Sequence, residues 1–152
     1  MQLVPEMTYT ETIDGPSDPT TGSPLGARLC WQVSEAQLSG SRIQAGLVMP
    51  GADWIRLGPD GIRRPDQRLT FATDDGAIVM LRYDNALIRE SPTFLAADDA
   101  GGQTTVEDQY MRMVAQFDTG DERYPWLTSS LVLAEGRLAG DHQIEYEIYR
   151  VD

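Results

Sequence analysis

Apolar residues in this chain recur at every second position, and that period constrains the fold more than any other feature of the sequence. Successive side chains on a β-strand point to opposite faces, so strict alternation marks a strand with one buried face. Ile144, Tyr146 and Ile148 alternate with Glu145 and Glu147, and Ile43, Ala45, Leu47 and Met49 form one face of the stretch 42–49. From 110 to 117, Tyr110, Arg112, Val114 and Gln116 alternate with Met111, Met113, Ala115 and Phe117. Further strands are predicted at 3–13, 27–36, 53–58, 67–73, 77–83, 86–90 and 127–135, separated by turn signals such as Pro50-Gly51, Gly58-Pro59-Asp60-Gly61, Asp74-Asp75-Gly76 and Asp84-Asn85. No stretch has the spacing of a long amphipathic helix; 34–38 is expected to form one helical turn at most. About nine or ten strands make an all-β chain, a single antiparallel domain over 1–152 that closes as a barrel or packs as a sandwich. Flexible loops are expected at about 15–26, rich in Gly, Pro, Ser and Thr, and at 95–105, LAADDAGGQTT.

The composition removes several chemistries. At 152 residues and 41% hydrophobic content the chain can bury a sizeable core. Twelve arginines stand beside no lysine, which rules out Schiff-base catalysis and a phosphate-binding loop of the Walker type. One cysteine (Cys30) and one histidine (His142) cannot build a Cys/His zinc site or an internal disulfide. No dinucleotide fingerprint appears, and neither does a Ca²⁺ loop. We therefore expect neither a cofactor nor a metal. A net charge of −12 argues against nucleic acid and anionic membranes as partners, since both need a basic surface. The first fifteen residues lack the basic and apolar regions of a signal peptide, and no apolar run reaches the length of a membrane span, so a cytoplasmic protein is expected.

Strand 110–117 carries the main candidates. One of its faces is wholly apolar; the other places Tyr110 two residues from Arg112, with Gln116 beyond. Either the polar face is solvated opposite an ordinary core face, or it looks into a partly wet lumen. In the second case Arg112 anchors an anion and Tyr110 moves a proton or meets an oxyanion. Asp53 and Glu90, near strand ends, are the candidate general bases. Arg68, Arg82 and Gln116 are read as substrate-binding, as are the aromatic residues Trp54, Tyr124 and Trp126; Asp66 shares the face of Arg68 and competes for it, and Trp54 suits a plug or cover of the barrel better than a ligand contact. Arg82 and Arg89 have weaker claims, since their flanking turns let them reach solvent, and His142 is read as exposed in the last hairpin turn.

A family resemblance is carried by five segments in order: Gly51-Ala-Asp-Trp54 with Gly58-Pro-Asp-Gly61, Asp66-Gln-Arg68, Thr73-Asp-Asp-Gly76, Tyr110-Met-Arg112, and Phe117-Asp-Thr-Gly-Asp-Glu-Arg-Tyr-Pro-Trp-Leu127. Together with the closing strand Ile144 to Val151, they resemble the bacterial and fungal domain-of-unknown-function family numbered 3237, also called uncharacterised protein family 0311. The resemblance implies a lipocalin-like antiparallel β-barrel with a central pocket. Leu69 and Thr128 depart from its pattern, which has Tyr and Asn at the corresponding places. The favoured function is a cofactor-independent lyase, of the decarboxylase, elimination or isomerase type. Its expected substrate is a small aromatic or phenolic carboxylic acid bound inside the barrel, as in the catabolism of aromatic compounds. The alternative is a lipocalin-like binding protein without catalysis. Either is compatible with a homodimer or larger homo-oligomer.

Overall fold

The computed structural model describes residues 1–18 and 20–152; Pro19, inside the expected 15–26 loop, lies outside the described residues. Ten strands follow one another: β1 (Leu3–Ser17), β2 (Ala27–Gly40), β3 (Ile43–Leu47), β4 (Gly51–Leu57), β5 (Arg63–Arg64), β6 (Gln67–Thr73), β7 (Ile78–Arg89), β8 (Tyr110–Asp118), β9 (Val132–Gly140) and β10 (Gln143–Val151). They form one antiparallel sheet that closes into a ring through the pairing of β1 with β2. β3 and β4 divide one place in the ring, β3 pairing with the end of β2 and β4 with its beginning. β5 and β6 divide the next: β5 lies between β4 and β7, and β6 between β3, with one further pair to β4, and β7. The ring leaves no open sheet edge along its staves, which is how a barrel avoids edge-to-edge association.

The period-two pattern becomes an inner and an outer wall. On β8 the inward set is Met111, Met113, Ala115 and Phe117, all buried. Tyr9, Val33, Leu38, Phe71, Val79, Leu81 and Ile148 fill the interior beside them. One end is sealed by apolar groups: the segment around a short 3₁₀ turn, Pro125–Leu127, buries Leu127 and Tyr124 and sets Trp126 against the core, with the Arg42 guanidinium 3.8 Å over the Trp126 ring.

Several local expectations are corrected. Residues 34–38 lie inside β2, because the ladder to β1 and β3 continues through them. The stretches 77–83 and 86–90 belong to one strand, β7, interrupted only by a register irregularity opposite β8 between Arg82 and Asn85. β9 begins at Val132, not 127, since Pro125–Leu127 turns before it. Met49 leaves the face of Ile43 and Ala45 and is exposed in the turn after β3. The segment 95–105 opens inside a helix, α1 (Pro92–Asp99). Ser91 caps α1 by accepting from the Phe94 N–H at 3.0 Å, Pro92 occupies the first turn, and Gly101, at φ +64°, lets the chain reverse so that Gly102 N–H donates to the Ala97 carbonyl at 2.7 Å. Thr104 then ties the chain to β9, its hydroxyl accepting from Leu138 N–H at 3.0 Å.

Candidate active site

The end of the barrel beneath α1 differs from the sealed end. Cross-strand register places Trp31 beside Asp53, Asp53 beside Gln67, and Gln67 beside Tyr83, so β2, β4, β6 and β7 carry a continuous polar row. Residues opposite one another in an antiparallel ladder share a face, and here that face looks inward: Asp53 is 6% exposed and Gln67 1%. Across the lumen, Tyr9 on β1 stands beside Tyr146 on β10, with their rings stacked 5.9 Å apart. Tyr146 lies flat because Gly136, its neighbour on β9, has no side chain; a Cβ there would meet the Tyr146 ring at 2.5 Å. Glu11, two residues beyond Tyr9, completes the belt at 4% exposed.

Three side chains of the belt form a closed triangle. The Tyr9 hydroxyl lies 2.5 Å from Glu11 Oε2 and 2.9 Å from Gln67 Oε1, and Gln67 Nε2 donates to Glu11 Oε2 at 2.9 Å. The Tyr9 hydroxyl faces both acceptors, and Glu11 Oε2 accepts from Tyr9 and from the Gln67 amide. The Glu11 pKa is raised by burial, an effect opposed but not cancelled by the hydrogen bonds from Tyr9 and Gln67. Burial pushes Asp53 well above the usual carboxylate range; the neighbouring Glu11 charge adds to this, while the Asp66 N–H, 3.1 Å away, opposes it. The phenols of Tyr9, Tyr83 and Tyr146 are raised above the ordinary value chiefly by burial, so all three stay protonated.

Two further donors are unspent. The Tyr83 hydroxyl and the Trp31 indole Nε1 are buried with no hydrogen-bond partner among the described residues, an arrangement that costs free energy unless something arrives to pair with them. The void between the belt and α1 is about 40 Å³ and is lined by Glu11, Asp53, Trp31, Arg63 and Tyr146, among others, with Phe94 and Asp98 of α1 closing it.

The sequence candidates divide between the two walls. Asp53 lies in the belt, and Glu90 stands at the mouth with its carboxylate 2.6 Å from Arg63. The others do not enter the lumen. Tyr110 and Arg112 share one compartment, but it is an outer groove: the wholly apolar face of β8 has taken the inside. Arg112 pairs with Glu135 at 3.0 Å, and Tyr110, 39% exposed, lies under Arg89 and Arg112 with 4.1 and 5.4 Å from guanidinium to ring centre. Arg68, Arg82 and Gln116 line a second outer groove, where Arg68 pairs with Asp66 at 3.2 Å and Arg82 donates to Gln116. Trp54 is 44% exposed on the outer face, so it neither plugs the lumen nor lines it. Tyr124 donates to Asp75 Oδ1 at 2.9 Å, and with Trp126 it belongs to the sealed end. His142 is exposed in its hairpin as expected, at φ +56°.

Tyr9, Glu11, Gln67, Tyr83, Trp31 and Arg63 escaped the sequence reading. A signal was present: Glu11 is in phase with Met7 and Tyr9, Gln67 with Leu69 and Phe71, and Asp53 with Ile55. A polar residue in step with the apolar set of its own strand points inward. Among the described residues no group of three or more His, Cys, Asp or Glu side chains is placed to hold a metal ion, and no helix is long and apolar enough to cross a membrane.

Comparison with known proteins agrees with this architecture. The chain is 29% identical over 122 residues to a UPF0311 protein of Bradyrhizobium diazoefficiens, covering 79% of this chain and 78% of that one. Its fold matches the crystal structure of a conserved protein of unknown function from Rhodopseudomonas palustris, with a TM-score of 0.85 at 21% identity over 100% of this chain and 99% of that one. It also matches an enzyme from Penicillium herquei, with a TM-score of 0.64 at 14% identity over 100% and 96% of the two chains. Residues 1–151 match the family described as protein of unknown function DUF3237, and the chain belongs to that family.

Proposed function

We propose that the protein is a cofactor-independent enzyme, a lyase or isomerase, that moves a proton on a small aromatic or phenolic acid held against the belt. The observation that carries this reading is Glu11 itself, a carboxyl buried in the inner wall and held by a phenol and an amide. Burial pushes it towards its protonated form, the form a general acid requires. In this scheme Glu11 gives its proton to a substrate carbon or to a departing oxygen. The Tyr83 hydroxyl and Trp31 N–H, both without partners, meet the charge that develops on a substrate oxygen. For a decarboxylation, the proton replaces CO₂ on the carbon, and the Glu11 carboxylate takes a proton from solvent as the product leaves. Asp53, also held towards its neutral form, is the second acid of the site. The push of both Asp53 and Glu11 towards the neutral form lessens the repulsion an anionic substrate would meet.

Incubation with a panel of phenolic and aryl carboxylic acids, following product mass and CO₂ release, tests the proposal. Turnover that falls about 100- to 10,000-fold in Glu11→Gln, the usual contribution of a general acid, supports it. Turnover unchanged by that substitution refutes the assignment. One observation favours a second reading, a carrier that binds without reaction: the Glu11–Tyr9–Gln67 triangle is satisfied within itself. Saturable binding across the panel with no product favours that carrier.

A further inference from the structure

We propose that Arg63 is the receptor for the substrate's acidic group, that Glu90 occupies the receptor while the site is empty, and that the Phe94 ring stands where the substrate's ring will lie. The inference rests on the reading of the lumen as the substrate site and names how that substrate is recognised. Among the described residues, Arg63 is the one arginine lining the inner void; the candidate arginines of β6, β7 and β8 point outward. β5 is only two residues long, wedged between Leu57 of β4 and Ile88 of β7, which sets the guanidinium at the mouth beside Trp31, Asp53 and α1. A planar fork of donors with a permanent charge suits a carboxylate or phenolate.

Among the described residues Arg63 is held by Glu90 alone, and imperfectly. One Arg63 nitrogen is 2.6 Å from Glu90 Oε1, yet no N–H of the guanidinium is aligned on that buried oxygen. Both side chains are partly open to water, at 24% and 18%. A close ion pair without hydrogen-bond alignment is one that a better-placed anion can displace, leaving Glu90 to turn to solvent.

Room is the second requirement. A void of about 40 Å³ is far below the roughly 300–1,000 Å³ of ligand pockets. α1 covers the mouth with a single buried side chain, Phe94. Withdrawing that ring vacates a space the size of one aromatic ring, directly against the belt, and the Ser91 cap and Thr104 tether fix where the strap is anchored on each side.

The test is calorimetric binding of 4-hydroxybenzoate and its neutral counterpart 4-hydroxybenzamide. The wild-type protein is expected to prefer the acid at least tenfold. Arg63→Met keeps the apolar stem and should bring acid affinity down to that of the amide, leaving the amide unchanged. Glu90→Gln removes the competing carboxylate and should raise acid affinity several-fold, an outcome that holds even if Arg63→Met does not fold. Phe94→Ala should strengthen both ligands equally without altering their ratio, and Arg68→Met on the outer wall should change nothing. An unchanged ratio in Arg63→Met, weaker acid binding in Glu90→Gln, or no saturable binding of the acid at all overturns the proposal. Failure of the enzymatic reading looks different: the acid-to-amide ratio still depends on Arg63 while no panel acid is turned over.

Discussion

The inner belt and the outer wall of β8 carry similar side chains to opposite effect. Outside, Arg112, Glu135, Tyr110 and Tyr149 form an ion pair, a phenol–carboxylate hydrogen bond at 3.0 Å and cation–π contacts, all reached by water. Exposed pairs of this kind contribute little to stability, and water replaces whatever a substitution removes. Inside, Tyr9, Glu11, Gln67 and Asp53 repeat the same chemistry with almost no access to solvent. There, each polar atom that lacks a partner costs about 1–3 kcal/mol. A fold gains little by placing carboxyl groups where Leu or Val would pack. Polarity on a solvated wall therefore says little about function, whereas polarity on the wall that could have been apolar is what makes the lumen the candidate site.

The largest effects should come from the interior. Phe71, fully buried and 6.2 Å from the Tyr9 ring in an edge-on contact, sets the scale: Phe71→Ala should cost about 3–5 kcal/mol in urea unfolding, by loss of burial and creation of a cavity. Gln67→Leu tests the belt itself, since it preserves bulk while depriving Tyr9 and Glu11 of their shared partner. We expect a loss of about 2–3 kcal/mol, the cost of stranding buried polar groups. A change under about 0.5 kcal/mol, typical of neutral surface sites, would show that the triangle holds nothing together and would erase the contrast between the walls.

A third experiment reads the belt by pH. Asp53 faces Glu11 on β1, Tyr83 on β7, Asp66 in the turn before β6, Tyr146 on β10, Arg63 on β5 and Asp98 on α1. Its folded pKa is raised, chiefly by burial. A carboxyl whose folded pKa exceeds its unfolded value contributes stability that is fully present below the unfolded value, near 4, and is lost as pH rises through the folded one. Wild-type stability should thus fall from mildly acid towards neutral pH, and Asp53→Asn should flatten that slope. At low pH the two proteins should converge to within the cost of the substitution itself. A wild-type profile that instead rises over that interval would mean Asp53 is ionised in the fold.

The two walls also explain how much could be read beforehand. The strands were legible because a half-buried strand must alternate: β8 does so throughout, and β10 does so from Tyr146 to Ile148. The inward face of β8 was not. Both of its faces lack acidic residues before Asp118, and only closure of the ring, which takes the more apolar face inside, decides between Met111 and Arg112. α1 escaped because it is eight residues long and buries Phe94 alone, too little for a helical stripe; its local signals were the Ser91-Pro92 start and the Gly101-Gly102 stop. Asp53 was found as an acid near a strand end. Glu11, in the Thr-Glu-Thr run of β1, was hidden because such runs normally face water; its phase with Met7 and Tyr9 was the overlooked clue.

The smallest effect expected is on the outer wall, at Arg112. Its guanidinium contacts Glu135 at 3.0 Å and donates to the Met111 carbonyl at 3.0 Å, with about a third of the side chain in water. Removing it leaves Glu135 free to be hydrated and still able to accept from Tyr149. Arg112→Ala should therefore cost no more than about 1 kcal/mol, the upper range for exposed pairs. A double-mutant cycle with Glu135→Ala should give a coupling of about 0.2–1 kcal/mol that shrinks as salt is added, because only solvent-reached charges are screened this way. Turnover should be untouched in both single variants, since neither residue borders the lumen. A stability loss above about 2 kcal/mol would mean that Glu135 is a buried acid left unpaired. A hundredfold loss of turnover in a folded Arg112→Ala protein would return the reacting centre to the outer groove of β8, where Tyr110 and Arg112 already stand side by side.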